Sequence, residues 1–235
     1  VSVAAGTTLG LANAFTSSLN VGSIVSGSGN VAVTGGGAVR LANAGNTFSG
    51  ATSVTAGTLV ISDPAALGNG TTPIVVSGPA DDNTFSGQNR SQLGGQLLVA
   101  SGSGVALGRD LALAGAGVRG ISGRNVSVVN YPGGNWHGGY ALQSIGNNTI
   151  SGAVTTATTT TIVSSQFGLL TLAGAVTGSG GGTANLYLAG GGNIAMTGAV
   201  GPAAIQLRSG NTLILTNTAN TIGSIASDVS GRLRV

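Results

Sequence analysis

The chain has no cysteine, no lysine and no glutamate; its eight cations are all arginine and its five anions all aspartate. Charged residues make up 6% of the 235 positions, against roughly 25% in an ordinary soluble domain. One histidine is present. Such a set gives catalysis little material: no thiol, no lysine, and no clustered acids of the kind a polysaccharide lyase or hydrolase needs. No serine lies in a nucleophile-elbow motif. Gly-rich strings such as GSGGG at 178–182 are followed by neither a lysine nor a helix, so phosphate binding is not expected. No apolar run reaches 18 residues, so no transmembrane helix is expected. The net charge of +3 is spread over scattered arginines, whereas a nucleic-acid footprint would be clustered. Glycine does not fall at every third position and prolines number five, which excludes collagen. Disordered chains combine low hydrophobicity with high charge; here 41% of residues are hydrophobic.

What the chain does have is repetition. Asn-Thr followed by a large apolar residue occurs at Asn46-Thr47-Phe48, Asn83-Thr84-Phe85, Asn148-Thr149-Ile150, Asn211-Thr212-Leu213 and Asn220-Thr221-Ile222. Three copies continue into Ser-Gly. Short apolar triplets follow at regular distances. In the last third they begin at Leu186, Ile194, Ile205, Leu213 and Ile222, so every second triplet recurs after 19, 19 and 17 residues. Period-2 patterning over three to five positions marks strands, and the Gly, Asn and Ser between them mark turns. No amphipathic helix is visible. Residues 64–69 can form one helical turn, with Asp63 as N-cap and Pro64 at its first position.

Strands at this spacing fit a solenoid better than a sandwich, which needs longer alternating strands, or a propeller, which needs a longer repeat. The expected fold is all-β: a right-handed parallel β-helix of about a dozen coils and roughly 50 Å, forming one domain over residues 1–235. Val, Ile, Leu and Ala fill its narrow core, and Gly and Asn take the corners. Leu59, Ile61, Leu172, Leu188, Ile205, Leu207, Leu213 and Leu215 should point inward.

The segments AVRLANAGNTFSGATSVTAGTLVIS (38–62), DPAALGNGTTPIVVSG (63–78), SGVALGRDLALAGAG (103–117), SIGNNTISGAVTT (144–156) and GLLTLAGAVTGSGGG (168–182) carry a resemblance. The chain resembles the passenger region of bacterial autotransporters, and its repeat is similar to the passenger-associated transport repeat, or autotransporter-associated β-strand repeat. The resemblance covers most of residues 20–227. It implies a β-helical protein that is secreted or displayed on a bacterial surface, without its membrane barrel. The chain has neither initiator Met nor signal peptide, so a processed form or a fragment is expected. The Asn-x-Ser/Thr sites at Asn69, Asn89, Asn125 and Asn147 then read as β-helix turns.

Two segments break the repeat and are expected to project as side loops: about 79–95, with Asp81, Asp82 and Arg90, and about 130–140, with Tyr131, Trp136, His137 and Tyr140. Loops carry function more often than the scaffold does. Tyr131, Trp136, His137 and Tyr140 are candidate binding residues for a glycan or partner, since aromatic faces stack and Tyr and Trp also hydrogen-bond. The bland alternative is that these rings cover a core edge. Asp81 and Asp82 fit a calcium loop but fit a solvated turn better; neither a metal nor a cofactor is expected. The leading functional expectation is a non-enzymatic extracellular structural protein that self-associates end to end or laterally. The alternative is an adhesin binding glycan or a host surface through its side loops. An enzyme acting on glycans ranks third. No nucleic-acid partner and no membrane insertion by this segment are expected.

Overall fold

The structure is a computed structural model describing residues 1–14, 17–78, 94–101, 103–115, 140–157, 161–207, 211–227 and 232–235. Every strand pairing among the described residues is parallel. Among the described residues helix is confined to two short 3-10 turns, Pro64–Leu67 and Ser179–Gly181. The first begins as the sequence suggests: Asp63 accepts a hydrogen bond from the Ala65 N–H at 2.9 Å and Pro64 opens the turn.

The strands stack into a parallel β-solenoid of about eight turns. A nine-stranded sheet runs from Ser18–Val21 to Ile222–Ser227, a seven-stranded sheet from Thr8–Leu11 to Val176–Gly178, and a six-stranded sheet from Ala106–Leu107 to Arg232–Arg234. One coil visits all three faces in order. Thr161–Phe167 lies in the nine-stranded sheet, Leu169–Leu172 in the six-stranded and Val176–Gly178 in the seven-stranded, before Ala184–Ala189 returns to the first. At the N-terminal end the third face is reduced to Ser2–Val3 paired with Ser26–Gly27.

The core is one continuous stack. Alternate residues of each strand point inward, and parallel pairing places like above like. Leu19, Val39, Leu59, Leu97, Leu142, Val163, Leu188 and Leu207 form a single column through the nine-stranded sheet. All eight residues expected to face inward are buried. The spacing of 19 between Leu186 and Ile205, and between Ile194 and Leu213, is the true register. The spacing of 17 that ends at Ile222 is not. A register shift after Ala203 sets Ile225, rather than Ile222, beside Ile205.

The turn count falls short of the expected dozen because the coils are unequal. Paired residues are 19 to 25 apart in the regular coils. In the strand register Thr58 to Gln96 is 38 residues and Leu97 to Leu142 is 45. Both long steps contain the segments that break the repeat. Residues 79–93 and 116–139 lie outside the described residues, so their expected projection as side loops does too. The first segment ends earlier than its expected limit: Gly95 is the first residue of a core strand and pairs with Gly57.

Candidate functional site

The Asn-Thr-apolar motif builds corners. Asn46 accepts the Val25 N–H at 2.8 Å and donates to the Ala66 carbonyl at 2.7 Å, so one amide joins three coils. Asn148 accepts the Val105 N–H at 2.8 Å and donates to Ile145 O and Ser144 Oγ, both at 2.9 Å. Both asparagines are buried. Their amides satisfy backbone groups that a tight corner would otherwise strand away from water. Two residues on, Phe48 and Ile150 enter the core. Two further, Gly50 and Gly152 pass under a carbonyl of the preceding coil. Asn220 does similar work at a different corner, accepting the Val200 N–H at 2.9 Å. Asn83 lies outside the described residues.

Exposed Asn and Asp bridge coils in the same way. Asn30 accepts the Ala51 N–H and Asn147 the Leu169 N–H, both at 2.9 Å; Asp110 accepts the Ala153 N–H at 2.7 Å. Among the described residues the only acids are Asp63 and Asp110, and both cap backbone N–H groups. Asp110→Asn keeps the acceptor and should change stability by less than about 0.5 kcal/mol. Asp110→Ala should cost about 1 kcal/mol. Urea denaturation of the two variants reads the difference.

Arg109 breaks the glycine corner and compensates for it. Its guanidinium folds back over Gly70 and donates to Thr72 O at 2.8 Å, Leu67 O at 3.3 Å and Thr52 Oγ1 at 3.2 Å. Partial burial pushes it down from the usual arginine range. It acts as a clamp over neighbouring coils. Arg109→Met should cost about 2 kcal/mol, because two carbonyls lose charged donors. Lysine should not restore the loss, since a single ammonium lacks the planar fork. Thermal melts of both variants test this.

Of the candidate binding residues, Tyr131, Trp136 and His137 lie outside the described residues. Tyr140 is half-buried and packs with Tyr187 against Ala189 on the outer face of the nine-stranded sheet. The middle of that face is buried. Ala38, Val60, Leu98, Ala100 and Ile145 form a second apolar cluster there, separate from the core. Beside it Thr58 donates to Gln96 Oε1 at 3.0 Å, and Gln96 Nε2 donates to Gln143 Oε1 at 2.8 Å. The Gln143 amide nitrogen is buried and has no hydrogen-bond partner among the described residues. The signal for this patch was present in the sequence. LVI at 59–61 and LLVA at 97–100 are unbroken apolar runs, and such strands are covered on both faces.

A second site lies on the side of the six-stranded sheet near its C-terminal end. Asn193, Thr212, Ile214, Arg232, Leu233 and Arg234 line an open groove of about 500 Å³. Cross-strand register stacks Asn193, Thr212 and Arg232 in one row, with Ile214 and Arg234 side by side in the next. Both rows face outward, because the intervening residues are in register with the core: Ile194 and Leu213 are fully buried, and Leu233 continues their row but is exposed on the terminal strand. Among the described residues no group of three His, Cys, Asp or Glu is placed to hold a metal ion. No helix there is long and apolar enough to cross a membrane. The chain matches no family model, no curated protein and no solved structure.

Proposed function

We propose that the protein is a non-enzymatic structural solenoid, similar to the repeat portion of an autotransporter passenger, that assembles end to end outside the cell. The resemblance of its repeats supports the location, and the all-parallel stack supports the mode of assembly. The winding is read as right-handed, because connections between parallel strands of one sheet nearly always are.

One observation carries the assembly reading. Among the described residues, the outermost strand at each end of the rod has a neighbouring strand on one side only. Ser18–Val21 and Ile222–Ser227 are the two outermost strands of the same nine-stranded sheet, with the same polarity. The core positions behind them, Leu19 and Val21 at one end and Ile222 and Ile225 at the other, are only partly covered. An open edge templates pairing with another chain. Because the two edges differ, the contact is head to tail and does not close into a ring, so it propagates as a filament.

Light scattering across a concentration series, with negative-stain imaging, tests this. Rods one molecule wide, lengthening with concentration, are expected. Ile225→Asp should shift the population to monomer while the circular dichroism spectrum keeps its β signature. A wild-type protein that stays monomeric at millimolar concentration overturns the proposal. The alternative is an adhesin that binds glycan through the side of the rod. It is favoured specifically by the lateral groove, whose exposed arginines contribute nothing to the core.

A further inference from the structure

We infer that the lateral groove around Arg232 and Arg234 is a binding site for an acidic polysaccharide, one bearing carboxylate or sulfate groups. It is distinct from the aromatic segment at 130–140, and its arginines project from Arg232–Arg234, the outermost strand of the six-stranded sheet at the C-terminal end of the rod.

The two arginines occupy alternate positions of one strand, so they leave the same face about 7 Å apart. Neither guanidinium makes a hydrogen bond or ion pair among the described residues, whereas Arg40 donates to Ser62 at 2.9 Å and Arg109 is fully engaged. Neither described acid neutralises them, since Asp63 and Asp110 are committed to their own backbone partners. Arg232 and Arg234 therefore present planar forks, open to solvent, in a chain that elsewhere puts its described arginines to structural use. That fork matches a carboxylate or sulfate in bidentate fashion.

The neighbours narrow the ligand class. Asn193 and Thr212 continue the Arg232 row along the rod, one per coil, and offer an amide and a hydroxyl. Ile214 sits next to Arg234 and supplies an apolar strip. Acid-binding forks, hydroxyl-binding groups and an apolar strip together suit a chain of acidic sugars. No aromatic ring lines the groove, so the stacking platform that single-stranded nucleic acid needs is missing. The rows run along the solenoid axis, which suits a linear polymer rather than a compact ion. In a head-to-tail filament the groove would recur once per molecule, and weak sites would add through avidity.

The test uses the whole 235-residue chain and four probes: polygalacturonate, dextran sulfate, neutral dextran and a single-stranded oligonucleotide. Calorimetry at low and physiological salt reads affinity. Binding to polygalacturonate or dextran sulfate, weakening about tenfold or more between the two salt conditions, is expected. Which of the two binds tighter tells carboxylate from sulfate. The double variant R232Q/R234Q should lose at least tenfold in affinity, and R40Q should match the wild type. R232K/R234K should retain part of the binding, which separates loss of charge from loss of fold. Equal binding by the double glutamine variant, equal affinity for neutral dextran, or tighter binding of the oligonucleotide would each overturn the inference. Light scattering on the same variants keeps this outcome separate from filament assembly, which the inference does not require.

Discussion

Gly174→Val is expected to destabilise the protein by about 3 kcal/mol or more, or to prevent folding. Gly174 sits in a corner where glycine lies directly over glycine. A Cβ on it would fall far inside van der Waals contact of the Gly152 carbonyl oxygen, and one on Gly198 would meet the Gly174 carbonyl in the same way. Both obstacles are backbone, so no rotamer change relieves them. The coils would have to separate locally, and the hydrogen bond from the Ala173 N–H to the Ile150 carbonyl, 2.8 Å, would stretch with them. Gly10 supplies the control. A Cβ there meets nothing within 4 Å, and Gly10→Ala should stay within about 0.5 kcal/mol of wild type. Guanidinium titrations of the two variants give the comparison. Equal midpoints would show that the corners are looser than their geometry.

Asn148→Ala should cost about 2–4 kcal/mol, the second-largest single effect. The side chain is buried and makes four hydrogen bonds, to Val105 N, Val99 O, Ser144 Oγ and Ile145 O. Truncation leaves the Val105 N–H unpaired in a site that water reaches poorly, and a buried donor without an acceptor costs about 1–3 kcal/mol on its own. Leucine at the same position fills the volume but still strands the donor, so Asn148→Leu should recover less than half of the loss. Asn30→Ala removes a bond of similar geometry from an exposed corner, where water replaces the lost partner. It should cost under about 1 kcal/mol. Thermal unfolding followed by circular dichroism ranks the three.

Much of the solenoid was legible because a parallel stack forces chemical likeness between residues one coil apart. Leu186 and Ile205, or Ile194 and Leu213, announce their pairing by spacing alone. The Asn, apolar and Gly positions of NTFSG and NTISG turned out to be three parts of one corner: a bridge, a core residue and a close approach. Asn220 belongs elsewhere, since three residues of sequence cannot say which corner they occupy. The turn count was less legible. Length divided by repeat assumes equal coils, and the steps of 38 and 45 residues break that assumption. The second buried patch was missed for a related reason. A period-2 reading assigns Thr58, Val60, Gln96 and Leu98 to solvent, although the unbroken apolar run at 97–100 argued otherwise. The lateral groove needed coordinates, because Asn193, Thr212 and Arg232 are neighbours only through register.

The uneven steps also bear on how the chain reaches its native state. Each regular coil closes a loop of about twenty residues onto its predecessor, so the solenoid can form as a zipper, adding one rung at a time from any nucleus. Closing 45 residues costs only about 0.7 kcal/mol more than closing twenty. That extra cost falls before any new contact offsets it, and it falls twice in succession, on either side of Gly95–Ala100. The zipper should therefore pause there. The rungs before residue 78 and those after residue 140 become separate cooperative units joined by one slow seam. Whichever half collapses first can fold and hold while the seam waits for the rest.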